Sequence, residues 1–167
     1  FLTFEVSAVD FEMALKGARI FEFRGIMLAP PHRGEVHRYL ESVSDAARLS
    51  GQVNCLEQHA GGLRGVNTEG VAMRRLAEAH VAAKGLKAVI LGAGRTAKSI
   101  AAELALAGAA SIELVCVEPT QAVPLVESLA GDPQTAAVEC RVTPWPKDGQ
   151  IAIGADVRLL LNATPVG

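Results

Sequence analysis

No stretch of the chain stays apolar for the length of a membrane span without meeting a charge or a turn signal, and no basic segment followed by an apolar core opens it. No spanning helix is expected, and no targeting segment is seen in these residues. The 16 Lys and Arg are scattered among 18 Asp and Glu rather than gathered into a stripe, leaving a net charge of −2. A nucleic-acid surface therefore has no support. Cysteine is sparse: Cys55, Cys116 and Cys140 are an odd number without Cys-x-x-Cys spacing, each in apolar, strand-like surroundings. The expectation is buried, reduced thiols in a cytoplasmic protein. His-x-x-x-His and Glu-x-x-His pairs are missing, so no metal site is expected. A Gly-x-Ser-x-Gly elbow and a Gly-Lys-Ser/Thr loop are missing too, which sets aside hydrolase and P-loop chemistry.

What is present suits an α/β protein. The 167 residues are 50% hydrophobic, enough for one domain or two small ones. Residues 1–6 have the alternation of a strand, and Asp10 is placed to cap a helix through Ile20 with Phe11, Leu15 and Ala18 on one face. A strand at Met27 and Leu28 ends at Pro30-Pro31. Residues 35–40 and 44–49 read as short helices, the second stopped by Gly51. Residues 52–56 and 63–67 flank His59-Ala-Gly-Gly62 as a hairpin, and a long helix from Glu69 towards Gly85 carries Val71, Leu76, Ala79, His80 and Ala83. Beyond Gly85 the pattern is repeated βα: strand 87–91, helix 96–107, strand 112–117, helix 120–130 with Pro124 in its first turn, strand 137–142, a loop over 143–149 and strand 157–161. Alternation of this kind predicts a parallel sheet with helices on both faces. The chain begins within one expected strand and stops just after another, as a fragment would.

The glycine turn after strand 87–91 carries the sharpest signal. In Gly92-Ala93-Gly94-Arg95-Thr96-Ala97, the first glycine allows the tight turn and the second lets the backbone approach a pyrophosphate. Ala97, at the third small position, lets the helix pack close to the sheet. The free N–H groups and positive end of that helix would face the phosphates. Small residues also serve plain strand-to-helix packing, so context decides. Glu118, at the end of the second strand of this half, stands where an acid meets the ribose 2′-OH and repels a 2′-phosphate, which favours NAD over NADP. The competing reading of Glu118 is an exposed acid before a turn.

Four segments then occur together in a recognisable order: Gly51-Gln-Val-Asn-Cys55, Gly65-Val-Asn-Thr-Glu-Gly70, the glycine turn, and Asn162-Ala-Thr-Pro-Val-Gly167, with Pro31-His32-Arg33 upstream. The chain resembles the shikimate dehydrogenase family, whose segments follow G-x-N-V-T-I-P-H-K, G-A-V-N-T, G-x-N-T-D-x-x-G, G-A-G-G-A and N-A-T-P-x-G. The resemblance implies reversible hydride transfer between NAD or NADP and a hydroxy acid, interconverting 3-dehydroshikimate and shikimate, with quinate as a related substrate. It implies a partial substrate domain over residues 1–80 and a partial Rossmann-type nucleotide domain over 81–167, with the site between them. It assigns Asn54 and Thr68 to substrate binding, and Asn162 and Thr164 to the nucleotide side of the cleft. The family's Ser-x-Ser grip on the substrate carboxylate and its C-terminal Tyr and Gln contacts would lie outside these residues.

The departures fall on the chemistry. Arg33 stands where the family pattern has its catalytic Lys, and Glu69 where it has Asp, while Met27 and Ala29 replace the Asn and Thr of N-V-T. A guanidinium does not shuttle a proton as an amine can. It can polarise a carbonyl oxygen or hold a carboxylate. Glu69 can pair with Arg33 or act as the base, and His32 can replace the lost shuttle if its ring faces the cleft. The competing reading is a structural Arg33–Glu69 ion pair in a non-catalytic relative that binds a dinucleotide or a pathway metabolite without turnover. A methyltransferase on the same sheet is a third reading, opposed by the family-like segments outside the nucleotide half. Oligomeric state is open.

Overall fold

The computed structural model describes residues 1–166; Gly167, the last residue of the closing hexapeptide, lies outside the described residues. Sixteen segments of regular structure build two four-stranded sheets. In the first, β1 (Gly25–Met27), β3 (Cys55–His59), β4 (Gly62–Val66) and β2 (Ser42–Val43) lie side by side in that order, antiparallel except for the parallel β2–β4 pair. Helix α1 (Phe11–Ile20) buries Phe11, Leu15 and Ala18 as its 3.6-residue spacing predicts. Together with Leu28, Val36, Val53, Leu56 and Leu63, Phe11 and Leu15 form this half's core.

Helix α2 (Asp45–Ser50) is capped by Ser44 Oγ, which accepts from Ala47 N at 3.3 Å, and is stopped by Gly51 at φ +66°. Ala47 enters the first core while Leu49 enters the second. Helix α3 (Thr68–Glu78) follows β4 directly, with Asn67 Oδ1 accepting from Gly70 N at 3.0 Å as its cap.

The second sheet is wholly parallel, in the order β7 (Glu139–Pro144), β6 (Ser111–Cys116), β5 (Lys87–Leu91), β8 (Leu159–Asn162). Helices α4 (Arg95–Leu106) and α5 (Val123–Gly131) make its crossovers. Ala88 and Ile90 of β5 and Ile112 and Leu114 of β6 pack into one cluster with Ile100 and Leu104 of α4 and Leu125 and Leu129 of α5. Because β8 follows β7 in the chain but pairs with β5, the strand order reverses at the carboxyl ends of β5 and β8. Ligands of open α/β sheets bind at such a switch point.

Several expectations are corrected. Residues 1–6 form no strand: the alternation is there, but no neighbouring strand pairs with it. The long helix ends at Glu78 rather than Gly85, and Leu76, Ala79 and His80 are exposed; Gly70 lies against α4, and Met73 packs on the second core. Residues 36–39 are a 3-10 turn, and helix 120–130 divides into a 3-10 turn (Pro119–Ala122) followed by α5. Strand β7 runs on through Thr143 and Pro144, which were expected in a loop.

Among the described residues, α4 and α5 touch each other and residues 145–158 return to β8 without a helix, so the second layer of helices that the βα alternation predicts is not seen there. Glu113, which alternates with Ile112 and Leu114 along β6, accepts from Arg141 Nη2 at 2.6 Å.

Candidate functional site

At the switch point, β5 ends at Leu91 and the chain turns through Gly92, Ala93 and Gly94 into α4. Gly92 has φ +105°, and a Cβ there would stand 3.0 Å from Ala163 O and 3.3 Å from Thr164 Cγ2. The segment after β8 thus presses on the turn, and only glycine meets both demands. Ala93 and Ala97 are buried beneath the turn, as close packing of helix on sheet requires. Gly94 differs: its backbone is ordinary, and a Cβ would meet nothing within 4 Å. No side chain caps the first turn of α4, so its free N–H groups face the same open space. Room for a close approach to the backbone, together with N–H groups that no side chain caps, is what a pyrophosphate requires.

Arg95 and Thr96, the first two residues of α4, are exposed. Asn162 Oδ1 accepts from Thr164 N at 3.0 Å and Thr164 Oγ1 at 2.6 Å, which folds the segment after β8 into a tight loop behind Gly92. Glu118, just past β6, is exposed and accepts a hydrogen bond from Gln121.

The other wall comes from the first sheet. The 3-10 turn His32–Gly34 carries Arg33, whose Nε donates to Leu28 O at 2.6 Å and whose Nη1 donates to Glu69 Oε1 at 2.7 Å. The side chains are 23% and 29% exposed, so the pair is shielded yet reachable. Glu69 Oε2 in turn accepts from Thr96 Oγ1 at 3.4 Å, which connects the ion pair to the glycine turn. Asn54, buried just before β3, accepts from Thr68 N at 2.9 Å and approaches Thr68 Oγ1 with Nδ2 at 3.0 Å. Arg33, Glu69 and Thr96 therefore meet, with the Asn54–Thr68 pair beside them. His32 faces away: its ring stacks on Phe11 at 4.4 Å and its Nε2 lies 2.9 Å from Val6 O.

Burial pushes all three thiols up, that of Cys140 to about 11, so none offers a thiolate nucleophile at neutral pH. Among the described residues no group of three or more His, Cys, Asp or Glu could hold a metal ion, and no helix is long and apolar enough to cross a membrane.

One set of residues carried no sequence signal. Asn67 Nδ2 donates to Ser99 Oγ at 2.8 Å, Arg74 Nε to Glu103 Oε2 at 3.0 Å, and Arg48 Nη2 to Asp132 Oδ2 at 2.7 Å, all joining elements of different sheets. A Cβ on Gly70 would lie 2.3 Å from Ser99 O, so α3 and α4 cross in near-backbone contact. The helical spacing of Ser99 and Glu103 hints at a shared face, but only the fold supplies their partners.

Fold and site together define a class: α/β proteins with a dinucleotide-type glycine turn at the switch point of a parallel sheet, faced by ionisable side chains on a 3-10 turn and a helix that flank a second, mixed sheet. No protein-family model matches the chain. It is 35% identical over 171 residues to the shikimate dehydrogenase (NADP(+)) of Moorella thermoacetica, covering 100% of this chain and 56% of that protein. Among solved structures, the ligand-free 5-ketofructose reductase of Gluconobacter sp. matches with a TM-score of 0.86 and 32% identity, over 98% of this chain and 57% of that one. Shikimate 5-dehydrogenase from Listeria monocytogenes, in complex with shikimate and NAD, matches with a TM-score of 0.83 and 30% identity, over 96% and 56%. The chain belongs to the shikimate dehydrogenase family, and it spans little more than half the length of the curated relatives it matches.

Proposed function

We propose that the protein is an NAD(P)-dependent oxidoreductase that interconverts a ketone and a secondary alcohol on a shikimate-like hydroxy acid, 3-dehydroshikimate and shikimate or a relative such as quinate. The observation that carries this reading is the chain of contacts Arg33–Glu69–Thr96, which sets an ionisable pair against the glycine turn. Residues 1–80 would supply the substrate side and 81–167 the nucleotide side, a division supported by the two separate sheets, one ending at Val66 and the other beginning at Lys87. A nicotinamide held at the turn supplies the hydride acceptor.

The protein's own residues divide the remaining work. Gly92, Ala93, Gly94, Arg95, Thr96 and Ala97 form the phosphate cradle, with Asn162 and Thr164 behind it. Glu118 takes the ribose and disfavours a 2′-phosphate, so NAD is preferred. Arg33 has spent Nε and one Nη1 donor. A guanidinium carries five N–H groups, so it keeps donors for the substrate oxygen and stabilises negative charge there. It does not release a proton, which leaves Glu69 as the base that takes the hydroxyl proton. Asn54 and Thr68, already joined, orient a substrate hydroxyl.

A second reading follows from the likeness to the Gluconobacter reductase. Met27 and Ala29, where the shikimate pattern has Asn and Thr, remove two polar contacts, and a different polyhydroxy ketone then becomes the substrate.

The test is a steady-state assay of the full-length protein, wild type, Arg33→Lys, Glu69→Asp and the double variant, with shikimate, quinate and 5-ketofructose. Wild-type turnover of shikimate should be low, and the double change should raise it non-additively, because both residues act on one proton. A double variant slower than wild type would mean that the pair is adapted to another substrate. No turnover by any variant, with nucleotide binding intact, would favour the non-catalytic relative.

A further inference from the structure

Glu69 is held from two sides, by Arg33 on Oε1 at 2.7 Å and by Thr96 on Oε2 at 3.4 Å. The spacing of the two helix starts does not depend on that second bond. Asn67 Nδ2 reaches Ser99 Oγ at 2.8 Å, Ser99 Oγ donates to Arg95 O at 2.9 Å, and Gly70 lies so close to α4 that a Cβ would be 2.8 Å from Glu103 Cγ. Glu69 sits between Asn67 and Gly70, and Thr96 between Arg95 and Ser99. A buried frame thus holds the carboxylate beside the hydroxyl. The same hydroxyl stands on the first turn of α4, whose N–H groups have no side-chain cap and border the open space at Gly94.

We propose that Thr96 is a positioning residue that ties nucleotide occupancy to the Arg33–Glu69 pair. Resting on the nucleotide reading above, the assignment gives Thr96 two alternative acceptors. A hydroxyl has one proton to donate, and both a carboxylate and a phosphate only accept, so Thr96 cannot serve both at once. In the structure it donates to Glu69 Oε2. With a phosphate docked, it turns to the phosphate and frees Oε2 to face the substrate hydroxyl. Linkage is reciprocal: whatever releases Thr96 from Glu69 favours the nucleotide.

The experiment is a double-mutant cycle on the full-length protein, read as the Kd of NADH and of NADPH by calorimetry without substrate. The variants are Thr96→Val, which keeps the shape and removes the donor, Glu69→Gln, and both together. Thr96→Ser, which keeps the donor, is the rescue. Wild-type and Thr96→Ser proteins should bind alike, and Thr96→Val should bind about five- to tenfold more weakly. Glu69→Gln should tighten binding in the Thr96 protein by a larger factor than in the Thr96→Val protein. The plain charge effect of removing a carboxylate is common to both backgrounds and cancels from the cycle.

Kinetics supply a second readout: Thr96→Val should lower kcat beyond its effect on the nucleotide KM. An equal effect of Glu69→Gln in both backgrounds, or Thr96→Ser behaving like Thr96→Val, would overturn the proposal. A wild-type protein that binds neither nucleotide would overturn the nucleotide reading itself. Thr96 is exposed, and unchanged circular dichroism of each variant would confirm that binding losses are local.

Discussion

Gly94→Ala adds one methyl group to the turn between β5 and α4, at a point where a Cβ meets nothing within 4 Å. The backbone there, φ −71° and ψ −176°, is one that alanine adopts without strain. Alanine narrows the unfolded ensemble, which stabilises by roughly 0.4–1 kcal/mol. It is also a poorer N-cap than glycine by about 0.5–1 kcal/mol. The two effects offset, and stability should stay within about 0.5 kcal/mol of wild type. A pyrophosphate approaching that backbone would meet the methyl directly. The loss of affinity should be on the order of 10- to 100-fold, at about 1.4 kcal/mol per tenfold.

Two other glycines separate this effect from damage to the fold. Gly92→Ala forces a side chain into φ +105° against Ala163 O and should cost about 1–3 kcal/mol of stability as well as affinity. Gly70→Ala drives a methyl to 2.3 Å from Ser99 O, so α3 and α4 must separate and the fold itself should be lost or strongly weakened. Urea unfolding beside calorimetric titration with NADH reads both quantities for each variant. Nucleotide affinity unchanged within twofold in Gly94→Ala would refute the placement of the pyrophosphate at this turn.

NADH should bind more tightly than NADPH, and Glu118→Ala should narrow that preference by removing both the 2′-OH acceptor and the repelling charge; equal affinities in the wild type would show that Glu118 does not face the ribose. The Cys140 thiol, pushed by burial to about 11, should react with iodoacetamide at pH 7.5 roughly 100-fold more slowly than a free cysteine, judged from thiolate fractions alone. Peptide mapping after timed labelling checks it, and modification at the rate of a free thiol would contradict the burial. The Asp132 carboxyl is held below the usual range by the Gln134 backbone N–H and then by the Arg48 guanidinium. A depressed folded value means stability that is present above the unfolded carboxylate range, about pH 4, and lost as pH falls through the folded value. Asp132→Asn should therefore lower the unfolding midpoint at neutral pH and flatten its acid limb; parallel limbs for the two proteins would reject the ion pair as a contributor.

Local chemistry was legible where one residue type forces one conformation. Gly51 ends α2 in the left-handed region, and strand β5 runs over residues 87–91 as expected, because a buried parallel strand is a short continuous apolar run bounded by glycines. Sequence reading failed where structure depends on a partner. Leu2, Phe4 and Val6 alternate with Thr3 and Glu5 as a strand would, yet strand pairing is a property of two segments, and no second segment pairs with them among the described residues. Helix α3 misleads for a different reason. Helical spacing puts Leu76, Ala79 and His80 on the packing face, yet all three are exposed while Gly70 makes the near-backbone contact with α4, because such close packing selects a residue without a Cβ.

The site divides along the same line. The glycine turn is local in sequence, so its geometry could be derived from the roles of Gly92 and Gly94. The Arg33–Glu69 pair spans 36 positions, and no periodicity connects them; their meeting was expected only through the family resemblance. Thr96 had been assigned to the phosphate side alone, and its contact with Glu69 emerges only when α3 and α4 are packed. That contact alters the physical problem set by the Lys-to-Arg difference. Arg33 engages only Oε1 of Glu69, so Oε2 is not committed to the guanidinium, and Thr96 is the group that holds it. On the proposed reading a substrate hydroxyl approaches that second oxygen once Thr96 turns away. In that reading Arg33 serves as anchor and electrostatic partner, and the proton transfer that the family resemblance assigns to an amine would pass to the longer acid beside it.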